Sequence, residues 1–288
     1  MPLTTLGHQT MEKKFIGAGL GAGLISGIVT YVFARIFLQP RVSAAISYEE
    51  GRSAAHEALE GAGGHSHDHG EVFSRAMQAN LGAAVGTAAF ALCMGAVFAV
   101  AFTVLWSFVG KRYPGTDPRW VAAAVGAIGF TSVFAVPFLV FPANPPAVGS
   151  GETIGSRTSA FLTITVVSVL AAIAAVAVVV VWLRPRLGGL TSSLVGVLLY
   201  LTTVVVAALA LPSFDEVPGP LMDGTGIAYP GFPADVLGDF RMYTIADHAL
   251  LWTTLAASFA LLAHRVLRAP RDHGSVDAAT GARRAPLS

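Results

Sequence analysis

Six apolar runs, at about 15–38, 80–108, 120–141, 159–183, 191–211 and 245–264, decide what this chain can become. A helix needs about 20 residues to cross the ~30 Å hydrocarbon core of a bilayer, and each run supplies that length. Inside lipid an unpaired backbone N–H or C=O is costly, so each run must satisfy its own backbone as a helix. Composition agrees, since 54% of the 288 residues are apolar, 12% are charged and the mean hydropathy is +0.65, outside the range of a soluble domain. The expectation is an all-α polytopic membrane protein with six transmembrane helices, a short tail over 1–14 and a basic tail over 265–288. The first run follows Lys13 and Lys14 and could pass for a signal peptide. Its length and Arg35 at its far end favour a span.

Charge sets the orientation. The termini and the turns 110–119 and 184–190 hold 12 of the 18 Lys and Arg, the opposite connections hold 5, and Arg35 lies within the first run. The basic side is expected to be cytoplasmic, with both termini inside. Trp106, Trp120 and Trp182 fall at run ends on that side, where indole prefers the interface. The longer connections, 39–78, 142–158 and 212–244, then lie outside and carry most of the acids, a surface that attracts cations.

The first outer connection holds the residues most suggestive of chemistry. Three of the eight histidines, His65, His67 and His69, occur within five residues, flanked by Gly63, Gly64 and Gly70. Neutral imidazole is a good ligand for borderline divalent metals. In an extended strand alternate residues share a face, so these three can converge on one ion, with Asp68, His56, Glu57 or Glu60 as a further ligand. The bland alternative is a solvated loop that merely contains histidines. The connection 39–78 reads as a loop opened by Pro40. Deeper candidates are few: carbonyls freed by Pro137, which has no N–H to donate, the amide of Asn144, the acids Glu152 and Glu216, and the pair Asp247 and His248. For His248, a hydrogen bond to a neighbour is as good a reading as ligation.

Other features serve architecture. Gly19, Gly23 and Gly27, four apart, make a stripe on which another helix can pack closely, in this chain or in a second copy. The Pro-rich segment Phe141–Gly149 cannot be helix and is too apolar for an exposed loop, so it should pack on protein at the membrane surface. It should meet the 212–241 region through charges such as Glu216 with Arg157 or Arg241. The lone Cys93 excludes an intramolecular disulfide and, beside Met94, reads as a small buried hydrophobe.

With these residues laid out, the chain resembles the CbtA family of cobalt transporter subunits, prokaryotic membrane proteins linked to vitamin B12. The resemblance rests on Met11-Glu12-Lys13-Lys14 before the glycine-rich first run, on Tyr48-Glu49-Glu50, and most specifically on Phe141-Pro142-Ala143-Asn144-Pro145-Pro146-Ala147-Val148-Gly149 with Glu152-Thr153-Ile154-Gly155 and Arg157. It continues in Asp215-Glu216-Val217-Pro218, Phe232-Pro233-Ala234-Asp235, Phe240-Arg241 and Trp252. It implies cobalt import across the prokaryotic plasma membrane, often beside a small single-span companion subunit.

Residue chemistry alone does not choose cobalt, because nitrogen sites favour nickel and copper over it; nickel or zinc stays open as cargo. A metal-binding accessory or sensor subunit that conducts nothing is the competing class. No enzyme is expected: the chain lacks a P-loop and the paired intramembrane histidines that would hold a haem. No resident cofactor and no nucleic-acid partner are expected, the metal being cargo. The partners are the bilayer, a second copy of the chain and the companion subunit.

Overall fold

A computed structural model describes residues 3–61 and 81–268. Six helices long and apolar enough to cross a membrane occupy Lys13–Glu60, Ala83–Arg112, Pro118–Val140, Ile154–Leu187, Gly189–Leu209 and Ala234–Leu267. They are numbered first to sixth span below. The six-span expectation holds, and the bounds differ in three instructive places.

The first span does not stop at Leu38. It runs through Pro40 to Glu60 and ends at Gly61, whose φ of 76° is in the left-handed region. The opening part of the 39–78 connection is thus helix rather than loop. Proline normally breaks a helix because its ring meets the carbonyl four residues back and its nitrogen donates nothing. Here a π-helical turn, Ala34–Leu38, precedes Pro40, and Gln39 N–H donates back five residues to Ala34 O. The same device recurs twice. Phe130–Ala135 precedes Pro137, with Val136 N–H on Thr131 O, and Val179–Leu183 precedes Pro185, with Arg184 N–H on Val179 O. Each widened turn makes room for the ring without ending the helix.

The sixth span also begins early, at Ala234, so Asp235, Asp239 and Arg241 lie on helix instead of in the 212–244 loop. Likewise Trp106 lies inside the second span, which continues to Arg112. Between the fifth and sixth spans a two-stranded hairpin forms, β1 (Leu221–Met222) antiparallel to β2 (Ile227–Tyr229). Its turn is held by Asp223, whose carboxylate accepts the Thr225 hydroxyl and the N–H groups of Thr225 and Gly226, each at 2.8 Å.

The first, second, third and sixth spans form the main bundle, and the fourth and fifth pair beside it. Apolar surface gains little by leaving lipid for protein, so close approach must come from shape. The glycine stripe provides it within the chain. A Cβ on Gly27 would stand 2.7 Å from that of Ala91, one on Gly19 2.6 Å from that of Ala99, and one on Gly95 would strike the Gly19 carbonyl. The stripe is spent on the second span and is not free for a second copy. Toward the Lys13 end the bundle is filled by Phe15, Phe98, Phe102, Trp252, Leu255 and Phe259, with Phe102 edge-on to Phe259 at 4.8 Å and to Phe15 at 5.5 Å. Cys93 is exposed on the second span's outer surface, not buried; a thiol is apolar enough to face lipid.

Candidate functional site

The end of the bundle away from Lys13 is closed by a collar of polar contacts between segments far apart in sequence. Its wall is the helical continuation of the first span. Arg41, Ala45, Tyr48 and Arg52, spaced four, three and four apart, share one face of that helix. Arg41 pairs with Asp239 of the sixth span at 2.9 Å. Tyr48 donates to Pro230 O at 3.1 Å, and Arg52 donates to Gly219 O at 2.7 Å. Beneath these bonds a small apolar core joins Ala45, Tyr48, Val148 and Phe232. Val148 comes from the Pro-rich segment, which therefore packs on protein as its composition demands. The same helix presents Glu49, Glu50, His56, Glu57 and Glu60 to solvent.

The collar is pinned at two further points. Glu216 is the most buried charge in it, its side chain 5% exposed. One carboxylate oxygen accepts from Arg157 and the other from the Thr153 hydroxyl. Arg241 donates to Asn144 Oδ1 at 2.8 Å and to Ala143 O at 3.3 Å. Both pins tie the 141–157 segment to the stretch from 212 to the start of the sixth span. Glu216 and Asn144, both candidate ligands, here accept from Arg157 and Arg241 respectively.

Two turns further along the sixth span, about 10 Å from Arg241, lie Asp247 and His248. Nδ1 of His248 stands 3.1 Å from Thr244 O, so it carries the proton and donates, leaving the lone pair on Nε2. The ring stacks on Phe134 at 3.9 Å and 12°, just before Pro137 on the third span. This is the preparation metal-binding imidazoles show: one nitrogen fixed by a backbone carbonyl, the other available. Asp247 Oδ1 is buried with no hydrogen-bond partner among the described residues. Beyond them, the buried side chains of the sixth span from Leu251 to Ala263 are all apolar: Leu251, Trp252, Leu255, Phe259 and Ala263.

The sequence candidates therefore fall in separate places. His56 and Glu57 stand on the projecting helix, where His56 Nδ1 lies 3.4 Å from Glu60. Asn144, Glu152 and Glu216 belong to the collar region, Glu152 with an exposed side chain. Asp247 and His248 lie below it. His65, His67, Asp68 and His69 lie outside the described residues. Among the described residues no three His, Cys, Asp or Glu come close enough to hold a metal ion. Arg41, Tyr48 and Arg52 were missed by reading the sequence, although their helical spacing was there to be seen.

A family model described as "Probable cobalt transporter subunit (CbtA)" matches residues 12–264, nearly the whole chain. No curated protein and no solved structure matches.

Proposed function

The chain belongs to the family of probable cobalt transporter subunits (CbtA), and from that premise we propose that it imports a divalent transition-metal cation, cobalt(II), across a prokaryotic plasma membrane. The family match carries the reading, and the residues suit it. The collar faces outward in this proposal, on the positive-inside count, and the basic termini face the cytoplasm. His65, His67 and His69 capture the ion. Asp247 and His248 receive it below the collar, as a carboxylate oxygen without a partner and a fixed imidazole with a free lone pair. Two protein ligands hold an ion loosely, which suits a path, since an ion bound too tightly does not leave.

The apolar filling beyond His248 favours one second reading, a protein that binds metal and conducts only through a partner. The deciding measurement is initial cobalt uptake by vesicles containing this chain alone and with a single-span companion. Flux from the chain alone supports import; binding with no flux in either case removes it.

The same assay tests capture. Replacing His65, His67 and His69 by Ala should raise the cobalt concentration for half-maximal uptake and leave the maximal rate nearly unchanged. Lowering pH from about 7.5 to about 5.5 should imitate the substitution, because free histidine titrates near 6.5 and its protonated ring binds no metal. A triple variant equal to wild type at limiting metal and neutral pH would reject the capture role.

A further inference from the structure

A sizeable groove lies away from the collar. It measures about 690 Å³, is enclosed by the second to fifth spans and is lined by Trp120, Ala124, Val176, Gly196 and Tyr200, with Arg184 at its mouth. From Trp120 to Thr131 it follows the third span for 11 residues, about 16 Å. On the fourth span it reaches 12 residues from Arg184 to Ala172, and on the fifth it ends near Leu201. The three walls thus run about 12–18 Å, near half the ~30 Å thickness of a bilayer core. Near its inner end the Tyr200 hydroxyl meets that of Ser168 at 2.8 Å.

A groove one leaflet deep is too short for a transmembrane helix, which needs the whole thickness, and fits an acyl chain. Its mouth selects the headgroup. The Arg184 guanidinium lies over the Tyr113 ring at 4.1 Å, an arrangement that fixes the group by its face and leaves its N–H edge to bind an anion. Arg112 and Arg186 are close in sequence, whereas the nearby acid Asp117 is already engaged by Arg119. Trp120, 75% exposed, and Trp182, 65% exposed, flank this level as interfacial indoles do. We propose that the groove is a binding site for an anionic phospholipid, one acyl chain lying between the third and fifth spans and the phosphate on Arg184.

The test is native mass spectrometry of the purified full chain titrated with phosphatidylglycerol or phosphatidylcholine, paired with thermal unfolding. The expected result is one retained phosphatidylglycerol per chain and a rise in melting temperature that phosphatidylcholine does not match. Arg184→Gln should weaken retention about fivefold, the worth of one basic residue at a lipid surface, and Arg184→Lys should restore much of it. Ala124→Trp, at an exposed helix position, should block retention by filling the groove. Equal retention of the two lipids would overturn the proposal. So would full retention in Ala124→Trp, which would mean that headgroups gather on the basic belt without entering the groove. Loss of a co-purifying membrane protein in Ala124→Trp, with lipid retention unchanged, would assign the groove to protein and overturn it equally.

Discussion

The two ends of the bundle hold their charges in opposite ways. At the collar, Arg41 reaches Asp239, Arg52 reaches Gly219 O, Arg157 reaches Glu216 and Arg241 reaches Asn144, each bond joining segments separated by most of a span or more. At the basic end, the ion pair of Arg119 with Asp117 joins residues two apart, while Arg184 makes a distant contact with an aromatic ring, Tyr113, and not with an opposite charge. A local pair forms whether or not the bundle is assembled; a distant pair forms only when it is. The collar therefore reports and stabilises tertiary structure, whereas the basic end, in the topology proposed above, faces the cytoplasm and carries the proposed lipid site. A collar built to hold distant loops together can also open as a unit, which a solvated fringe of charges cannot.

The strongest way to break this contrast is Glu216→Ala. It leaves Arg157 beside an emptied site, and removing one partner of a buried pair is far costlier than removing both. Because Arg157 is 32% exposed while Glu216 is 5% exposed, the loss should be about 2–3 kcal/mol, below the full buried-pair cost. Thermal unfolding in detergent measures it, and Arg157→Leu with Glu216→Leu should recover much of the loss. Equal melting temperatures for Glu216→Ala and wild type would mean the collar is no more coupled to the fold than the basic end.

Arg241→Ala should have a smaller effect, about 1–2 kcal/mol, from losing a charge-assisted bond to Asn144 and a longer one to Ala143 O. Its sharper signature is local. Proteolysis within 212–233 should speed up, while the glycine contact between first and second spans is undisturbed.

What the sequence revealed and what it hid follow the same division. The spans were legible because about 20 apolar residues in a row admit one solution in lipid. That Glu216 pairs with a base was legible because charges beside Pro-rich apolar segments need each other, but the sequence left Arg157 and Arg241 both open and the structure selects Arg157. The helical extension to Glu60 and the early start at Ala234 were not. Pro40 reads as a terminator unless a π turn precedes it, and the π turn leaves no mark in composition. Asp235, Asp239 and Arg241 read as loop because hydropathy measures affinity for lipid, not helix content. Of the candidate metal residues, His248 was open to a hydrogen bond with a neighbour, but that the neighbour is the Thr244 carbonyl and that Phe134 from another span stacks on the ring could not be read.

The smallest effect belongs to the basic end and sharpens the contrast by its smallness. Asp117 caps the third span, accepting Arg119 N–H at 2.9 Å, and the Arg119 guanidinium grips the same carboxylate. The side-chain bond from Arg119 first, and the backbone bond second, hold the Asp117 carboxyl at about 2. A carboxyl lowered on folding contributes stability that is complete above its unfolded value near 3.9 and fades as pH falls toward 2. Asp117→Asn keeps a capping oxygen and removes the charge. Its melting temperature should trail wild type slightly at neutral pH and converge with it between about pH 4 and pH 2. A difference that persists unchanged at pH 2 would assign the effect to packing instead of charge. A neutral-pH loss as large as that of Glu216→Ala would show that this ion pair, local as it is, holds the bundle as firmly as the collar does.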